Sequence, residues 1–184
     1  MNKKVIVLIA DGFEDVEAVT PIDYLRRAAI DVTTVSISQQ TVTGRWGEIK
    51  LITDTTLAKI TNCTDWDAVI LPGGMPCAES LAASKEVSKL IKEMAAARKL
   101  VCAICASPAI VLAPLGILAG KNFTCYPGLE EKVKDGIWSD ANVVIDGNII
   151  TSRAAGTSGH FAIAIIEQLL DKETAEKIAK AVLL

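Results

Sequence analysis

The sequence predicts an α/β protein with a doubly wound, mostly parallel sheet sandwiched between helices. Short apolar runs suited to buried strands alternate with longer segments at helical spacing. The runs at 5–10, 68–71 and 100–104 are apolar on both faces, as in a sheet covered on both sides. Asp11–Glu14, Gly73-Gly74 and Cys105 stand where such runs stop. In an open α/β sheet, ligands bind outside the carboxyl ends of the strands, so these three places should converge.

A chain of 184 residues is within the usual size of one domain, roughly 100–200 residues. Residues 1–184 are read as a single domain, with no Pro/Gly/Ser-rich linker and no repeat. The hydrophobic fraction of 51% supplies a sizeable core without disulfide staples. Five irregularly spaced cysteines fit a reduced, cytoplasmic protein. No stretch approaches the ~20 apolar residues of a membrane helix. Asp11, Glu14, Asp15 and Glu17 end the first apolar run too early for a signal peptide. A net charge of −3 without a basic block argues against a nucleic-acid partner.

Residues 5–10 read as the first strand. A helix over 14–29 follows, with Val16, Val19, Ile22 and Leu25 at helical spacing and Pro21 as an interruption and kink. The β-branched run 32–37 completes a right-handed βαβ unit. Residues 43–53, with two glycines and partial alternation, suggest a small hairpin or excursion off the sheet. Residues 68–71 form the third core strand, a broken helical region runs to Arg98, and the next strand leads into Cys105. A helix is expected from Pro108 to Leu115, a short strand over 122–125 and a short helix over 129–135. Asp146-Gly147 signals a two-residue hairpin turn. Gly156-Thr157-Ser158 opens an apolar helix, and an amphipathic segment ends the chain.

A chain that leaves a strand and enters a helix with almost no linker must turn sharply, presenting the side chain at the turn. Hydrolases use this "nucleophile elbow" for serine; here the residue is Cys105. A free cysteine is ordinarily a small buried hydrophobe. At a strand-to-helix turn, helix N–H groups would lower its pKa and favour a reactive thiolate. Cys102, three positions along the strand, points to the opposite face and belongs to the core, as does Cys63 more loosely. Cys77 and Cys125 stand near loop ends and are expected to be accessible. Gly73-Gly74 either makes a tight turn or offers backbone N–H groups as an oxyanion hole, with Ala106 as a further donor. Glu17 either offsets a helix dipole or, buried beside the thiol, takes up a proton and donates to sulfur. His160, the single histidine, is assigned a surface or structural role, and one histidine makes a metal site improbable. Neither G-x-G-x-x-G nor G-x-x-x-x-G-K-[ST] is present.

The segments Ala10-Asp11-Gly12-Phe13-Glu14-Asp15-Val16-Glu17, Leu71-Pro72-Gly73-Gly74 and Ala103-Ile104-Cys105-Ala106 occur in sequence, followed by Thr151-Ser152-Arg153 with Gly156-Thr157-Ser158. In order and spacing they resemble the ThiJ/PfpI superfamily, in its Parkinsonism-associated deglycase branch, over nearly the whole chain. The resemblance implies a flavodoxin-like sandwich, a homodimer and no cofactor. It implies that Cys105 is the nucleophilic, oxidation-prone cysteine and Glu17 its protonated carboxyl partner. Gly73, Gly74 and Ala106 would be backbone donors, and Arg45 and Arg153 would border the site. Tyr126 stands where the animal type carries histidine, and a phenol with a reference pKa of about 10 is a poor general base near neutrality. Ala106 replaces the histidine that follows the cysteine in protease-like members, which disfavours peptidase activity. The functional expectation is cysteine-dependent conversion of reactive carbonyls, a 2-oxoaldehyde such as methylglyoxal to its hydroxy acid or deglycation of early glyoxal adducts. The alternative is a peroxide sensor or redox-regulated chaperone in which Cys105 becomes a sulfinate.

Overall fold

The computed structural model describes residues 2–184, apart from the side chain of Thr64. Met1, the first residue of the expected domain, lies outside the described residues.

The central sheet has seven strands. β1 (Lys4–Ile9) and β2 (Asp31–Ser36) pair in parallel from Lys4↔Asp31 to Ile9↔Ser36. The helix α1 (Asp15–Arg27) connects them. β3 (Thr41–Thr43) and β4 (Lys50–Ile52) form a separate antiparallel hairpin, the expected excursion. β5 (Thr55–Thr56) returns to the sheet beside β2. It is only two residues long, too short for any periodicity to announce it. β6 (Ala68–Leu71) is followed by α2 (Met75–Ala83), α3 (Lys85–Ala96) and β7 (Leu100–Ile104). β8 (Asn122–Phe123) and β9 (Ile137–Trp138) make a second small sheet, so the strand expected over 122–125 is shorter and off the main sheet. β10 (Val143–Asp146) and β11 (Ile149–Ser152) precede α4 (Ser158–Leu169) and α5 (Lys172–Ala181). The order is β10-β11-β7-β6-β1-β2-β5, parallel except at β10.

This order explains the sandwich. β1 to β2 moves one way along the sheet and β6 to β7 the other, so right-handed crossovers put α1 and α2–α3 on opposite faces. α4 packs on α1 and α5 on α4, which completes the first layer. Val5 to Ile9 and all of β6 are fully buried, as expected for strands covered on both sides. Each fully buried Val, Ile or Leu side chain contributes about 1.5–3 kcal/mol against exposure.

Several local expectations are corrected. Pro21 does not interrupt α1, which runs through it as one helix. Lacking an N–H, it leaves the Glu17 carbonyl without its usual donor four residues on. The buried face of α1 is Glu17, Ala18, Pro21, Ile22 and Leu25, while Val16 and Val19 are exposed. The expected helix from Pro108 to Leu115 is a π-turn (Pro108–Leu112) tightening into a 3-10 turn (Ala113–Leu115). The helix expected over 129–135 is a single 3-10 turn (Glu130–Lys132). Asp146 pairs with Ile149, so the hairpin turn is Gly147-Asn148, with Gly147 left-handed at φ 62°.

Candidate active site

Cys105 follows the last residue of β7 with a φ of 64°, a left-handed conformation that is sterically costly outside glycine and that persists only when its surroundings enforce it. Its N–H donates to the Ser152 carbonyl at 2.9 Å, and its own carbonyl accepts from the Tyr126 N–H at 2.8 Å. Strand β11 and the segment after β8 thus grip the elbow from both sides. The thiol residue is 6% exposed, less open than a bare elbow suggests.

Two glycines complete the wall. A Cβ added to Gly73 would lie 2.4 Å from Glu17 Oε2 and 2.6 Å from Cys105 Cβ, so both side chains press on its bare Cα. Gly74 has a φ of 88°, and a Cβ there would lie 2.2 Å from the Gly12 carbonyl oxygen. The strand ends after β1, β6 and β7 therefore meet, as expected.

A trans peptide unit is planar, and its C=O and N–H point in opposite directions. Three units around the thiol are held by their carbonyls. Pro72 accepts from the Ser107 hydroxyl at 2.5 Å. Gly73 accepts from the Glu14 N–H at 3.1 Å, and Cys105 from that of Tyr126. The N–H groups of the same three units belong to Gly73, Gly74 and Ala106. Gly73 donates to Glu17 Oε2 at 2.9 Å, while Gly74 and Ala106 act on the Cys105 sulfur and pull its pKa down. Gly73 therefore serves the carboxyl, leaving two donors for the sulfur.

Glu17 is 1% exposed, and its buried Oε1 has no hydrogen-bond partner among the described residues. Burial pushes its pKa up to about 7, against the opposing influence of Cys105, the Gly73 N–H and Arg45. Burial, and then the charge on Glu17, push the Cys105 thiol up to about 12. The lowered pKa expected from a helix terminus is not what the fold provides: no regular helix follows the elbow, and desolvation outweighs the two N–H groups. Below its own pKa Glu17 is neutral, which removes its charge from the sulfur. The pair is thus a coupled proton-holding unit.

The remaining residues lie around this pair. Arg45 Nη1 is 3.5 Å from Glu14 Oε2, and its guanidinium stands 5.2 Å over the Trp46 ring. Tyr126 meets the elbow through its backbone, and the residue is 49% exposed. Arg153 donates to the Asp140 carbonyl at 2.9 Å, and its charge is felt by Cys125. His160 is exposed on α4, beside Asn142 and Leu184, and takes no part in the pair. Cys77 and Cys125 are buried rather than accessible, because α2 and the β8 segment turn them inward; Cys63 is the half-buried one. Cys102 is fully buried in the core, as expected. Ser107 and the Glu14 N–H did not emerge from the sequence; the one available signal was a polar Ser107 between Ala106 and an apolar run. Among the described residues, no group of three His, Cys, Asp or Glu is placed to hold a metal ion.

Comparison with known proteins identifies the family and the fold. The family profile described as the DJ-1/PfpI family matches residues 3–168. Protein DJ-1 homolog B of Arabidopsis thaliana is 40% identical over 179 residues, covering 97% of this chain and 41% of the plant protein. The chain therefore spans less than half the length of that relative. A protein of Pyrococcus abyssi named as a deglycase is 34% identical over 155 residues, covering 83% of this chain and 91% of that protein. The crystal structure of Drosophila melanogaster DJ-1beta superposes with a TM-score of 0.94 at 35% identity, covering 100% of this chain and 99% of that one. The elbow, the glycine turn and the buried glutamate thus sit in a chain that belongs to the DJ-1/PfpI family.

Proposed function

We propose that this protein removes reactive carbonyls by cysteine chemistry, as a stress-protective enzyme of its family. The observation that carries the reading is the buried, unpartnered Glu17 Oε1 in a carboxyl coupled to the Cys105 thiol. A general acid–base group works best with its pKa near the operating pH, and Glu17 sits at about 7. Cys105 Sγ attacks the aldehyde carbon of a 2-oxoaldehyde such as methylglyoxal, forming a hemithioacetal. Glu17 takes the proton from that carbon and returns it to the adjacent one, while the hydroxyl proton passes from the first oxygen to the second, leaving a thioester of the hydroxy acid. Water cleaves the thioester, releasing lactate and the thiol without a cofactor. The relative named as a deglycase supports carbonyl chemistry of this class.

Purified protein assayed with methylglyoxal should lose about 100-fold or more of its turnover in Cys105→Ser and in Glu17→Gln, the usual scale for a nucleophile or a general base. Unchanged turnover in both variants would sink the mechanism. A gain of two oxygens at Cys105 after mild peroxide, without carbonyl turnover, would instead favour the sensor reading, with sulfinate held by the Gly74 and Ala106 N–H groups.

We also propose a homodimer. Val16 and Val19 on α1 are exposed, as are Trp46 at 71% and Ile49 on the hairpin loop. Gly44 packs against Asp15, which sets the hairpin loop against the start of α1. Sedimentation velocity should show a dimer that Val19→Asp dissociates; a monomeric parent protein would refute this.

A further inference from the structure

Of the three carbonyls that anchor the site's peptide units, two accept from backbone N–H groups and one accepts from a side chain, Ser107. Ser107 is fully buried. It stands two residues after the thiol, so one short elbow carries both the sulfur and the hydroxyl. The unit it holds is the one whose N–H reaches Glu17. We propose that Ser107 is a positioning residue that sets which member of the Glu17–Cys105 pair carries the negative charge.

A single amide plane links Ser107 to Glu17. The Ser107 hydroxyl donates into the Pro72 carbonyl at 2.5 Å on one edge. On the opposite edge the Gly73 N–H donates to Glu17 Oε2 at 2.9 Å. Because the unit is planar, fixing the carbonyl fixes the direction of the N–H. Donation into the carbonyl also draws electron density from the amide nitrogen and strengthens the N–H as a donor. A carboxylate accepts such a bond more strongly than a neutral carboxyl does. Ser107 therefore favours charge on Glu17 and a protonated thiol. The N–H groups of Gly74 and Ala106 act in the opposite sense, favouring charge on sulfur. The other groups whose charge bears on this site are Glu14 and Arg45; the buried thiol Cys77 on α2 is neutral and itself feels the charge of Glu17. Ser107 is none of these, so removing its hydroxyl changes no charge and tests the orientation and polarisation alone.

This inference rests on the proton-holding pair described under the proposed function, and its test does not read carbonyl turnover. The Glu17 carboxyl is titrated by NMR in isotopically labelled protein, assigned through Glu17→Gln. Cys105 alkylation by iodoacetamide is followed in parallel by peptide mass. In Ser107→Ala the Glu17 midpoint should rise by roughly half a pH unit, the size expected when a charge-assisted hydrogen bond loses about a third of its strength. Alkylation of Cys105 at pH 7 should then increase about 1.5-fold, as the neutral fraction of Glu17 rises from about a half to about three quarters, and should approach about threefold above about pH 8. Ser107→Thr, which keeps the hydroxyl, should restore both values. A purely structural serine would lower stability and leave the midpoint in place, and that result overturns the proposal. Should Ser107→Ala fail to fold, Ser107→Gly removes the same hydroxyl and is judged by the same criterion. A parent protein without turnover on methylglyoxal would remove the enzymatic reading but not this one.

Discussion

Cys63 donates its thiol hydrogen to Glu93 Oε2 at 3.0 Å, and Cys105 is coupled to Glu17 in the interior. The two pairs share their chemistry and differ in what surrounds them. Glu93 lies on the outer face of α3, 3.8 Å from Lys89 Nζ, with its side chain 46% exposed. Water and a cation share its charge. Its hydrogen bond to Cys63 is the first reason the Cys63 thiol is pushed up. Among the described residues Glu17 has no ion-pair partner and one oxygen without a hydrogen bond, and burial is the first cause of its raised pKa. A cysteine beside a glutamate is therefore not a reactive unit by itself. Desolvation brings the carboxyl's proton into the neutral range, and backbone donors held by their carbonyls define where the charge can rest.

The pH dependence of stability separates the pairs most sharply. Glu17 titrates at about 7 in the folded protein against 4.5 for its ordinary value. The folded state thus holds a proton that the unfolded chain releases earlier. Its stabilisation is complete below 4.5 and is lost as pH rises through about 7. The shift corresponds to roughly 3 kcal/mol. Urea unfolding across this window should show wild-type stability falling by about that amount relative to Glu17→Gln; parallel curves would break the comparison. Gly73→Ala comes next. The added Cβ meets Glu17 Oε2 and Cys105 Cβ, and overpacking of this kind costs about 1–3 kcal/mol. Both a lower urea midpoint and a disturbed Cys105 alkylation profile are expected, and a neutral variant would show that the wall yields. Glu93→Gln is the smallest change, under about 1 kcal/mol as for exposed charge pairs, with the Cys105 profile untouched.

The core strands β1, β2, β6 and β7, the first βαβ unit and the elbow at Cys105 were legible because each is written in contiguous residues. Alternation of apolar runs with helical spacing needs only a few neighbouring side chains, and so does a small-residue turn after a buried strand. Membership of the family was legible for the same reason, in short motifs kept in order. The inward face of α1 was not. Val16, Val19, Ile22 and Leu25 satisfy helical spacing, yet the helix packs on Glu17, Ala18 and Pro21 with Ile22 and Leu25. Spacing defines a stripe, but the position of α4 and the glycine turn decides which stripe faces inward. Accessibility of cysteines failed likewise: Cys77 and Cys125 are covered by segments distant in sequence.

The order of residues alone places a cysteine at a strand end among glycines and near an acidic helix start. What that cysteine feels depends on segments brought to it by folding. Burial raises the pKa of the pair through the whole surrounding shell, and peptide orientation is set by anchors from other segments: Glu14 from the first crossover, Tyr126 from beyond β8, and Ser107 reaching back to Pro72. Desolvation and hydrogen-bond direction act through space, so no local pattern along the chain carries them.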